Sequence, residues 1–488
     1  MDVSHLLDEL NDAQREAVTV GDHHALVLAG AGSGKTRVLI HRLAWLIQVE
    51  HVSPLGILAV TFTNKAAGEM RARAGDLLQV STRPLWIGTF HGIAHRLLRM
   101  HWKEAGLPET FQILDSEDQL RLLRRIIRDE GMDEAQWPAR QAQWFINARK
   151  DEGERPDRIE HLDHPVTAAW VHIYTLYQDY CNRGGLVDFA ELLLRAHELW
   201  LEHPTLLDHY RRRLQHLLID EFQDTNAIQY AWVRMLAGVT GRVFVVGDDD
   251  QSIYGWRGAR VENVHHFVRD FPDVQTVRLE QNYRSTGVIL DAANALIAHN
   301  QARMGKSLWT AGERGRAIAL YAAFNEQDEA RYVVEQIQQW LDSGRRADDC
   351  AILYRTTAQS RLFEEYLLRE SIYIVIHMNP YGIFSTRSPV EGKVLEPPNI
   401  PHDKDMPHGV WLQTDEGDDI VLVMNRGRLH NAPRCYVQFG ERIGQGQRCG
   451  FIHLGAQIDL YLPTNSRAAV SAGDFVKSGA DVIATLIH

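Results

Sequence analysis

A glycine-rich stretch that ends in lysine and threonine carries the strongest chemical signal in the chain. Residues 26–36 read LVLAGAGSGKT, and a helix-compatible segment, RVLIHRLAWLI, follows them. Small residues let backbone N–H groups surround a polyphosphate, and the N-terminus of the next helix adds partial positive charge. In such a loop Lys35 would bridge the outer phosphates and Thr36 would ligate Mg²⁺. The stretch therefore predicts a phosphate loop, with Ala29 where the stricter pattern has glycine.

Two later apolar runs end in carboxylates. LQHLLIDEFQDTN places Asp220 and Glu221 after one run, and RVFVVGDDDQSIYGWRGA places residues 248–251 after another. Beside a phosphate loop, Asp220 would bind Mg²⁺ and Glu221 would polarise the attacking water. The alternative is that this acidic pair only closes a strand, but the upstream phosphate loop favours the catalytic interpretation.

A tyrosine and an arginine follow a further predicted strand, in VRLEQNYRST. An arginine at this place could reach over the γ-phosphate and stabilise the transition state. A tyrosine beside it could stack on the base. Arg284 and Tyr283 are therefore candidates for the nucleotide site.

Alternating strands and helices must position these residues. Apolar runs at 57–60 and within 86–96 repeat the order of strand, small polar turn and helix seen around the phosphate loop. That order predicts a parallel sheet with ligands at its carboxyl edge. Residues from about 97 to 214 show apolar residues at helical spacing and no strand signal, so we predict an all-helical insertion. A second α/β unit is predicted beyond it, with helices at 287–298 and 326–341 and the apolar runs RAIALYAAF and CAILYRTT.

Composition and charge limit the classes of function. The chain has 488 residues, 45% hydrophobic and 24% charged, with a formal net charge of −12. Because no overall basic field exists, nucleic-acid binding would rest on local patches and stacking aromatics. Four scattered cysteines without CxxC spacing favour reduced thiols over a disulfide framework or zinc site. We find no signal peptide and no run of about 20 apolar residues, and we therefore expect a cytoplasmic protein without a membrane span.

Seven ordered segments resemble the UvrD/Rep/PcrA helicases of superfamily 1. They are LNDAQREAV, AGAGSGKT, VTFTNKAA, GTFHGIAHR, LLIDEFQDTN, VVGDDDQSIYGWRGA and LEQNYRS, and the resemblance covers about residues 1–371. It implies a RecA-like P-loop NTPase that uses ATP and Mg²⁺. It also implies 3′-to-5′ movement on single-stranded DNA or 3′-tailed duplex DNA, in DNA repair or replication.

The resemblance assigns roles to residues by position. The implied ATP-binding residues are Gln14, Ala29, Gly30, Ala31, Gly32, Ser33, Gly34, Lys35, Thr36, Arg37, Tyr283 and Arg284. Gln14 would read adenine. The implied catalytic residues are Lys35, Asp220, Glu221, Gln251 and Arg284, and the implied metal ligands are Thr36 and Asp220. The implied DNA-binding residues are Phe62, Thr63, Asn64, His91, Tyr254, Trp256 and Arg257. Core packing is the alternative for Phe62 and Trp256.

The resemblance to helicases ends near residue 371. No TIHSAKGLEF-like or EERRLAYVAVTRA-like segment follows, and in the family these segments supply DNA contacts and a second arginine to the ATP site. We therefore expect impaired hydrolysis and no unwinding by this chain alone, since unwinding needs two motor domains. We also expect an exposed apolar edge where the second RecA-like domain is incomplete.

Residues 372–488 change character, with short β-type runs between Gly, Pro, Asn and Asp turns. Their turns and strands resemble the carboxyl-terminal part of phosphatidylserine decarboxylase proenzymes, a lipoyl-type β-sandwich. That family cleaves itself at a Gly-Ser bond and converts the serine into a pyruvoyl group. The matching pair here is Gly455-Ala456, and Phe384 and Gly382 align with the family's catalytic histidine and acidic residue. We expect a catalytically dead module, because alanine has no hydroxyl.

Four parts are predicted: a first RecA-like domain (1–88 and 215–280), a helical insertion (89–214), a partial second RecA-like domain (281–371) and the β module (372–488). Three functions remain open. The first is a DNA-stimulated ATPase, the second a nucleotide- and DNA-binding motor fragment without turnover, and the third a lipid enzyme, which Ala456 disfavours. The first two differ in whether a basic residue of the β module reaches the ATP site, for instance Arg426, Arg428 or Arg434. A natural fusion and a truncated or rearranged chain are both open as origins.

Overall fold

The computed structural model describes residues 3–79, 82, 84–160, 164–300, 303–369, 372–377, 384–395, 408–424, 434–452, 457–463, 466–471, 474–475 and 482–486. Its contacts divide the chain into two compact units, Met1–Ile318 and Ala319–His488. Among the described helices, none combines the length and apolar character that crossing a bilayer requires. The four cysteines do not pair with one another.

A parallel sheet organises the first unit. The strands of this unit are β1 (Ala25–Ala29), β2 (Ile57–Thr61), β3 (Trp86–Thr89), β4 (Gln112–Ile113), β5 (Leu186–Val187), β6 (His216–Ile219), β7 (Arg242–Gly247) and β8 (Gln275–Leu279). Within the described residues six of them form one sheet, in the order β3-β2-β6-β7-β1-β8, with every neighbouring pair parallel. The carboxyl ends of β6, β7, β1 and β8 therefore lie side by side.

The described helices of the first unit lie partly against this sheet and partly in the insertion, which has a core of its own. They are α1 (Asp12–Val18), α2 (Lys35–Gln48), α3 (Asn64–Leu78), α4 (Phe90–Met100), α5 (Ser116–Asp129), α6 (Ala139–Asp151), α7 (Pro165–Gly184), α8 (Phe189–Glu202), α9 (Pro204–Arg213), α10 (Ala227–Ala237), α11 (Glu262–Asp270) and α12 (Gly287–Ile297). Along β1, Leu26 and Leu28 enter one apolar core while Ala25 and Val27 enter a second. This alternation buries both faces, as an all-parallel sheet requires.

The insertion between β3 and β6 is helical, as predicted, apart from the two-residue strands β4 and β5. A buried ion cluster holds α6 against α8. Lys150 Nζ lies 2.7 Å from Asp188 Oδ2 and 2.9 Å from Glu191 Oε2, and Arg155 also pairs with Glu191 at 2.8 Å. Burial acts to raise the pKa of Glu191, but these cations hold it well below its usual range.

Asp151, at the end of α6, links the insertion to the sheet. Asn226 Nδ2 donates a hydrogen bond to Asp151 Oδ1 at 3.0 Å, and Asn226 caps α10 just after the acidic end of β6. Burial, followed by the charge of Asp188, raises the pKa of Asp151 to about 7. The insertion is thereby fixed to the segment that carries Asp220 and Glu221.

The second unit combines two helices with antiparallel sheets. Its elements are α13 (Glu326–Asp342), α14 (Thr357–Arg369), β9 (Ile372–His377), β10 (Phe384–Arg387), β11 (Gly392–Leu395), β12 (His408–Gln413), β13 (Asp419–Met424), β14 (Arg434–Cys435), β15 (Arg442–Ile443), β16 (Arg448–Ile452), β17 (Gln457–Leu462), β18 (Arg467–Ala468) and β19 (Ala484–Thr485). The described strands form sheets in the orders β15-β11-β12-β13-β17-β9 and β10-β16-β14, and β18 pairs with β19. A core that includes Leu412, Leu422 and Leu460 fills this module. The predicted mostly-β module is confirmed.

Strand β9, which contains the sequence YIVI at the boundary between the helicase-like part and the β module, pairs within the β module. Residues 372–377 pair with residues 457–462 in antiparallel register through all six positions. The Gly455-Ala456 pair and Gly382 lie outside the described residues, as do Arg426 and Arg428.

The apolar runs of the predicted second α/β unit do not form strands. No strand is assigned within 316–324 or 350–354, although α13 forms and packs against α14. Leu320 is 97% exposed, Phe324 96% and Leu353 94%. A strand needs a hydrogen-bonded neighbour, and none of the described residues provides one here, so β-type composition alone does not order these runs. The expected sheet edge does not form, although three large apolar side chains of these runs are exposed.

Candidate nucleotide site

The predicted phosphate loop joins β1 to α2. Gly32 (φ 65°) and Gly34 (φ 89°) adopt left-handed backbone conformations, and α2 begins at Lys35. A Cβ atom at Gly32 would lie 2.7 Å from Arg284 Cβ, and one at Gly34 would lie 2.7 Å from Gln14 Nε2. Glycine is therefore required at both positions, for its backbone freedom and for the close approach of two candidate side chains. The loop ends in the N-terminus of a helix of 14 residues, which favours bound anions.

Lys35 lies between two carboxylates from neighbouring strands. Its Nζ is 3.6 Å from Glu221 Oε2, beyond β6, and 3.9 Å from Asp248 Oδ2, beyond β7. This arrangement follows directly from the sheet order, because β7 lies between β6 and β1. The lysine and both acidic segments predicted from the sequence therefore meet at one edge.

Asp220 has the environment of a cation ligand. It is buried at the end of β6, and Thr61 Oγ1 donates a hydrogen bond to its Oδ2 at 3.3 Å. Burial, and then the adjacent charge of Glu221, raises the pKa of Asp220 to about 6. A desolvated carboxylate next to another carboxylate gains most from a bound divalent cation. With Thr36 in the first turn of α2, this donor set fits Mg²⁺.

Glu221 is held in an unusual backbone conformation. Its φ and ψ angles are 49° and 47°, in the left-handed region that non-glycine residues seldom adopt. Gln223 Nε2 donates to Glu221 Oε2 at 2.9 Å, and Gln223 Oε1 accepts from the Asp248 N–H at 2.8 Å. Such strain persists where surrounding contacts impose it, commonly at functional sites. Gln223, which the sequence reasoning missed, orients both acidic segments.

Gln14 contacts the loop with its amide. Gln14 Nε2 donates to the Ser33 carbonyl at 2.9 Å, and its Oε1 accepts from the Asn11 N–H at 3.1 Å within the cap of α1. Asn11 Nδ2 in turn donates to the Tyr283 hydroxyl at 2.8 Å, and the Tyr283 N–H donates to the Gly32 carbonyl at 3.0 Å. The structure brings Gln14 and Tyr283 together at the loop, as predicted. Both polar ends of Gln14 are already bonded to protein atoms.

Asn282 positions Arg284 and was also missed. It is buried, and its Nδ2 donates to the Ala31 carbonyl at 2.6 Å. Its Oδ1 accepts from the backbone N–H groups of Arg284 and Ser285, both at 2.7 Å. The exposed Arg284 side chain therefore starts directly beside the phosphate loop. The only sequence signal for Asn282 was its place between β8 and Tyr283.

The remaining predicted nucleotide residues divide into two groups. Gln251 Nε2 donates to Asp248 Oδ2, the same oxygen that faces Lys35, so Gln251 lies in the site. Arg37, expected to hold phosphates, pairs instead with Glu9 on the surface. The side chain of Arg37 is 42% exposed in that pair. The loop itself, residues 29–36, is built as predicted, with Ser33 Oγ donating to the Gly30 carbonyl at 2.7 Å.

Comparison with known proteins assigns the family. The description UvrD/REP helicase N-terminal domain matches residues 10–272, more than half of the chain. The chain belongs to the UvrD/REP helicase family. The family described as UvrD-like helicase C-terminal domain matches residues 277–387. The phosphatidylserine decarboxylase family matches residues 349–484, so the two matches overlap.

Curated helicases share the amino-terminal part of the chain. DNA helicase II of Escherichia coli (strain K12) is 62% identical over 384 residues, covering 79% of this chain and 52% of that protein. DNA helicase II of Haemophilus influenzae is 57% identical over 388 residues, with coverage of 79% and 52%. ATP-dependent DNA helicase PcrA of Leuconostoc citreum is 44% identical over 375 residues, with coverage of 76% and 50%. The chain spans about half the length of the curated relatives it matches.

An exposed set of aromatic side chains lies in the candidate DNA-binding residues of this helicase-family chain. Phe62 and Tyr254 stack with ring centroids 5.1 Å apart and an interplanar angle of 20°, and Trp256 lies 6.4 Å from Tyr254. Trp256 is 74% exposed and Phe62 38%, so core packing does not explain either residue. We call Phe62, Tyr254 and Trp256 the aromatic ledge. Arg257 lies 4.5 Å above the Trp256 ring, which adds positive charge to it.

The other candidate DNA residues have smaller or different roles. Thr63 Oγ1 accepts from the Ala66 N–H at 3.1 Å and caps α3, which begins at Asn64. His91 contacts Phe189, with ring centroids 6.1 Å apart. Burial lowers the pKa of His91 to about 4, so the ring is neutral at pH 7 and cannot attract DNA phosphates by charge.

Proposed function

We propose that the chain is a helicase-type ATPase whose turnover is stimulated by single-stranded DNA, in DNA repair or replication. The observation that carries the proposal is the position of Lys35 between Glu221 and Asp248, on a phosphate loop whose neighbouring segment bears the aromatic ledge. Movement in the 3′-to-5′ direction, action on single-stranded or 3′-tailed duplex DNA and a cytoplasmic location belong to the same proposal, with hydrolysis impaired and no unwinding by this chain alone. They are supported by similarity to proteins named DNA helicase II and PcrA.

The chain's own residues account for each part of the ATPase reaction. The loop N–H groups and Lys35 would bind the phosphates, and Thr36 and Asp220 would hold Mg²⁺, which neutralises phosphate charge. Glu221 would accept a proton from the attacking water, and its contact with Gln223 holds the carboxylate in place for that role. Arg284 is exposed, and Asn282 holds its backbone N–H beside the loop. Its guanidinium would stabilise charge on the transferred phosphoryl group.

A short segment connects the ledge to the ATP site. Gln251 bonds to Asp248 beside Lys35, and Tyr254 follows three residues later in the aromatic ledge. A base that stacks on the aromatic ledge therefore contacts a segment whose other end, at Asp248, lies beside the phosphate-binding lysine. This is the route by which DNA binding would alter ATP turnover.

A motor fragment that binds without turnover is the second candidate. The exposed Leu320, Phe324 and Leu353 favour it, because the runs that would complete a second sheet pair with no strand among the described residues. Steady-state ATP hydrolysis with and without oligo(dT) separates the two. DNA-stimulated turnover supports the ATPase. Nucleotide and DNA binding with no turnover supports the motor fragment, and no nucleotide binding contradicts both.

Replacing Trp256 by alanine is expected to weaken binding of single-stranded DNA. One lost stacking platform corresponds to about 1–3 kcal/mol, or roughly a 5- to 150-fold higher Kd. Fluorescence anisotropy with labelled oligo(dT) measures the effect. Trp144→Ala is the matched control, since Trp144 is also exposed, at 65%, but lies on α6 outside the aromatic ledge. An equal loss in both variants would show that the ledge is not a specific stacking site.

The β module is proposed to lack decarboxylase activity. Self-cleavage requires a hydroxyl at the position of Ala456, and Phe384, which aligns with the family's histidine, pairs with Ile452 in the ladder of β10 and β16. Intact-mass analysis of the purified chain is expected to give one species with the full mass. Two fragments divided between residues 455 and 456, with carbonyl-reagent labelling of the second, would contradict the proposal.

A further inference from the structure

A seven-residue segment, RMGKSLW at 303–309, contacts three parts of the nucleotide site. Its first residues contact the acidic residues beyond β7. Leu308 lies over the phosphate loop, and Trp309 pairs with the residues beyond β8. The Trp309 carbonyl accepts from the Asn282 N–H at 2.7 Å, and the Trp309 N–H donates to the Glu280 carbonyl at 3.1 Å. We call it the RMGKSLW segment.

Lys306 of this segment occupies the centre of a carboxylate cluster. Asp248, Asp249 and Asp250 have oxygens close enough together to hold a metal ion. The Lys306 ammonium is 2.8 Å from Asp248 Oδ1, 2.5 Å from Asp249 Oδ1 and 2.8 Å from Asp250 Oδ2. Its side chain is 2% exposed, so the three contacts are shielded from water. A covalently attached cation therefore stands where a divalent ion would otherwise bind.

Three cations face the three carboxylates of this cluster, and one of them, the phosphate-binding lysine, is shared with Glu221. Arg303 neutralises Asp250 through two hydrogen bonds, of 2.9 and 2.7 Å. Lys306 supplies a second positive charge, and Lys35, 3.9 Å from Asp248 Oδ2, supplies the third for three carboxylates. Removing Lys306 would leave Lys35 as the remaining cation paired with Asp248.

Backbone geometry holds Lys306 in this place. Gly305 adopts a left-handed φ of 77°, and the flanking Met304 N–H donates to Asp249 Oδ2 at 2.7 Å. Two residues after Lys306, Leu308 lies over the phosphate loop, where a Cβ on Gly30 would be 2.1 Å from Leu308 Cδ2. The segment is thus fixed to both the acidic cluster and the loop.

We propose that Lys306 is a positioning residue for the nucleotide site, a built-in cation that fixes Asp248 so that Asp248 holds Gln251 while leaving Lys35 available to phosphate. The two carboxylate oxygens of Asp248 have different partners. Oδ1 faces Lys306, whereas Oδ2 accepts a hydrogen bond from Gln251 and faces Lys35. The proposal rests on the proposed ATPase function for its kinetic consequence. Its electrostatic consequence is independent of ATP.

Lys306→Met tests both consequences. The uncompensated carboxylates would draw Lys35 toward Asp248, and we expect the KM for ATP to rise about tenfold and kcat to fall about tenfold or more. Without nucleotide, the vacated cluster is expected to bind a divalent cation, so the variant's melting temperature should rise with Mg²⁺ or Ca²⁺ relative to EDTA. The unchanged chain should show a smaller rise, from the Asp220 site alone, because its lysine already fills the cluster.

A charge-balancing second substitution separates positioning from packing. Lys306→Met with Asp249→Asn removes one positive and one negative charge, and it is expected to recover nucleotide affinity and lose the metal-dependent stabilisation. Lys393→Met, at an exposed lysine on β11, is the matched control for lysine removal and should match the unchanged chain. Should Lys306→Met alone fail to fold, the double variant decides: turnover near that of the unchanged chain supports the proposal, and its loss contradicts it.

The two readouts distinguish failure of this proposal from failure of the proposed function. If the unchanged chain binds no ATP, the proposed function is wrong, and the metal-dependent melting of Lys306→Met still shows whether the lysine replaces a cation. A single variant with unchanged ATP affinity and no metal response overturns the proposal.

Discussion

Replacing Lys35 by alanine is expected to abolish ATP hydrolysis, with a fall in kcat/KM of roughly 10²–10³-fold or more. The Lys35 ammonium lies between Glu221 Oε2 at 3.6 Å and Asp248 Oδ2 at 3.9 Å. Its removal takes away the group that would bridge the outer phosphates. It also leaves the surrounding carboxylates without their shared cation, so the site would repel the triphosphate.

Steady-state hydrolysis with saturating oligo(dT) and binding of a fluorescent ATP analogue measure this effect. Lys103→Ala is the matched control, because Lys103 is an exposed lysine in the loop after α4 and contacts the Trp102 ring rather than the site. We expect that control to retain full turnover. Persistent DNA-stimulated hydrolysis in Lys35→Ala would mean that the activity comes from another site or a contaminant.

Glu221→Gln is expected to reduce kcat by roughly 10²–10⁴-fold while nucleotide binding is retained. Glutamine preserves the shape of the side chain and can still accept the hydrogen bond that Gln223 Nε2 donates at 2.9 Å. It cannot accept a proton from water. Loss of a negative charge 3.6 Å from Lys35 Nζ should also favour phosphate binding.

Parallel measurement of turnover and nucleotide affinity distinguishes chemistry from folding. Asp224→Asn is the matched control, since Asp224 is a neighbouring carboxylate that contacts Gln223 Nε2 at 3.4 Å and has no proposed role with water. Unchanged turnover in Glu221→Gln would remove Glu221 from the catalytic assignment. Loss of binding together with turnover would show that this residue shapes the loop.

Local sequence pattern was sufficient for the sheet and the phosphate loop. The phosphate loop was predictable because its glycines directly follow a buried apolar run. In the structure Gly32 and Gly34 adopt left-handed backbone conformations, which favour glycine. The carboxyl ends of parallel strands converge, so Asp220 and Glu221 could be placed beside Lys35 without coordinates. The interior of the site was not predictable in this way. Lys306 is one lysine in a polar stretch, and only tertiary contact buries it among three aspartates.

Two residues show why roles do not follow from residue type. Gln14 remains predicted to offer its amide to adenine, and in the structure one N–H and the oxygen of that amide also bond to Ser33 and Asn11, because α1 packs beside the loop. The run around Leu320 has the composition of a strand, yet it remains exposed because a strand requires a partner that composition cannot specify.

The strand order of the first unit also determines when the chain can fold during synthesis. Among the described strands β1 pairs with β7 and β8, whose residues follow it by more than two hundred positions. At about 5–20 residues per second, β1 and its phosphate loop wait roughly 10–50 s on the ribosome for both neighbours. The helical insertion, whose core spans Leu123 to Cys181, needs only local contacts and can form meanwhile. We therefore expect the nucleotide site to assemble last in this unit. Until then the apolar strand β1 is unpaired, and chaperones or aggregation partners can bind it.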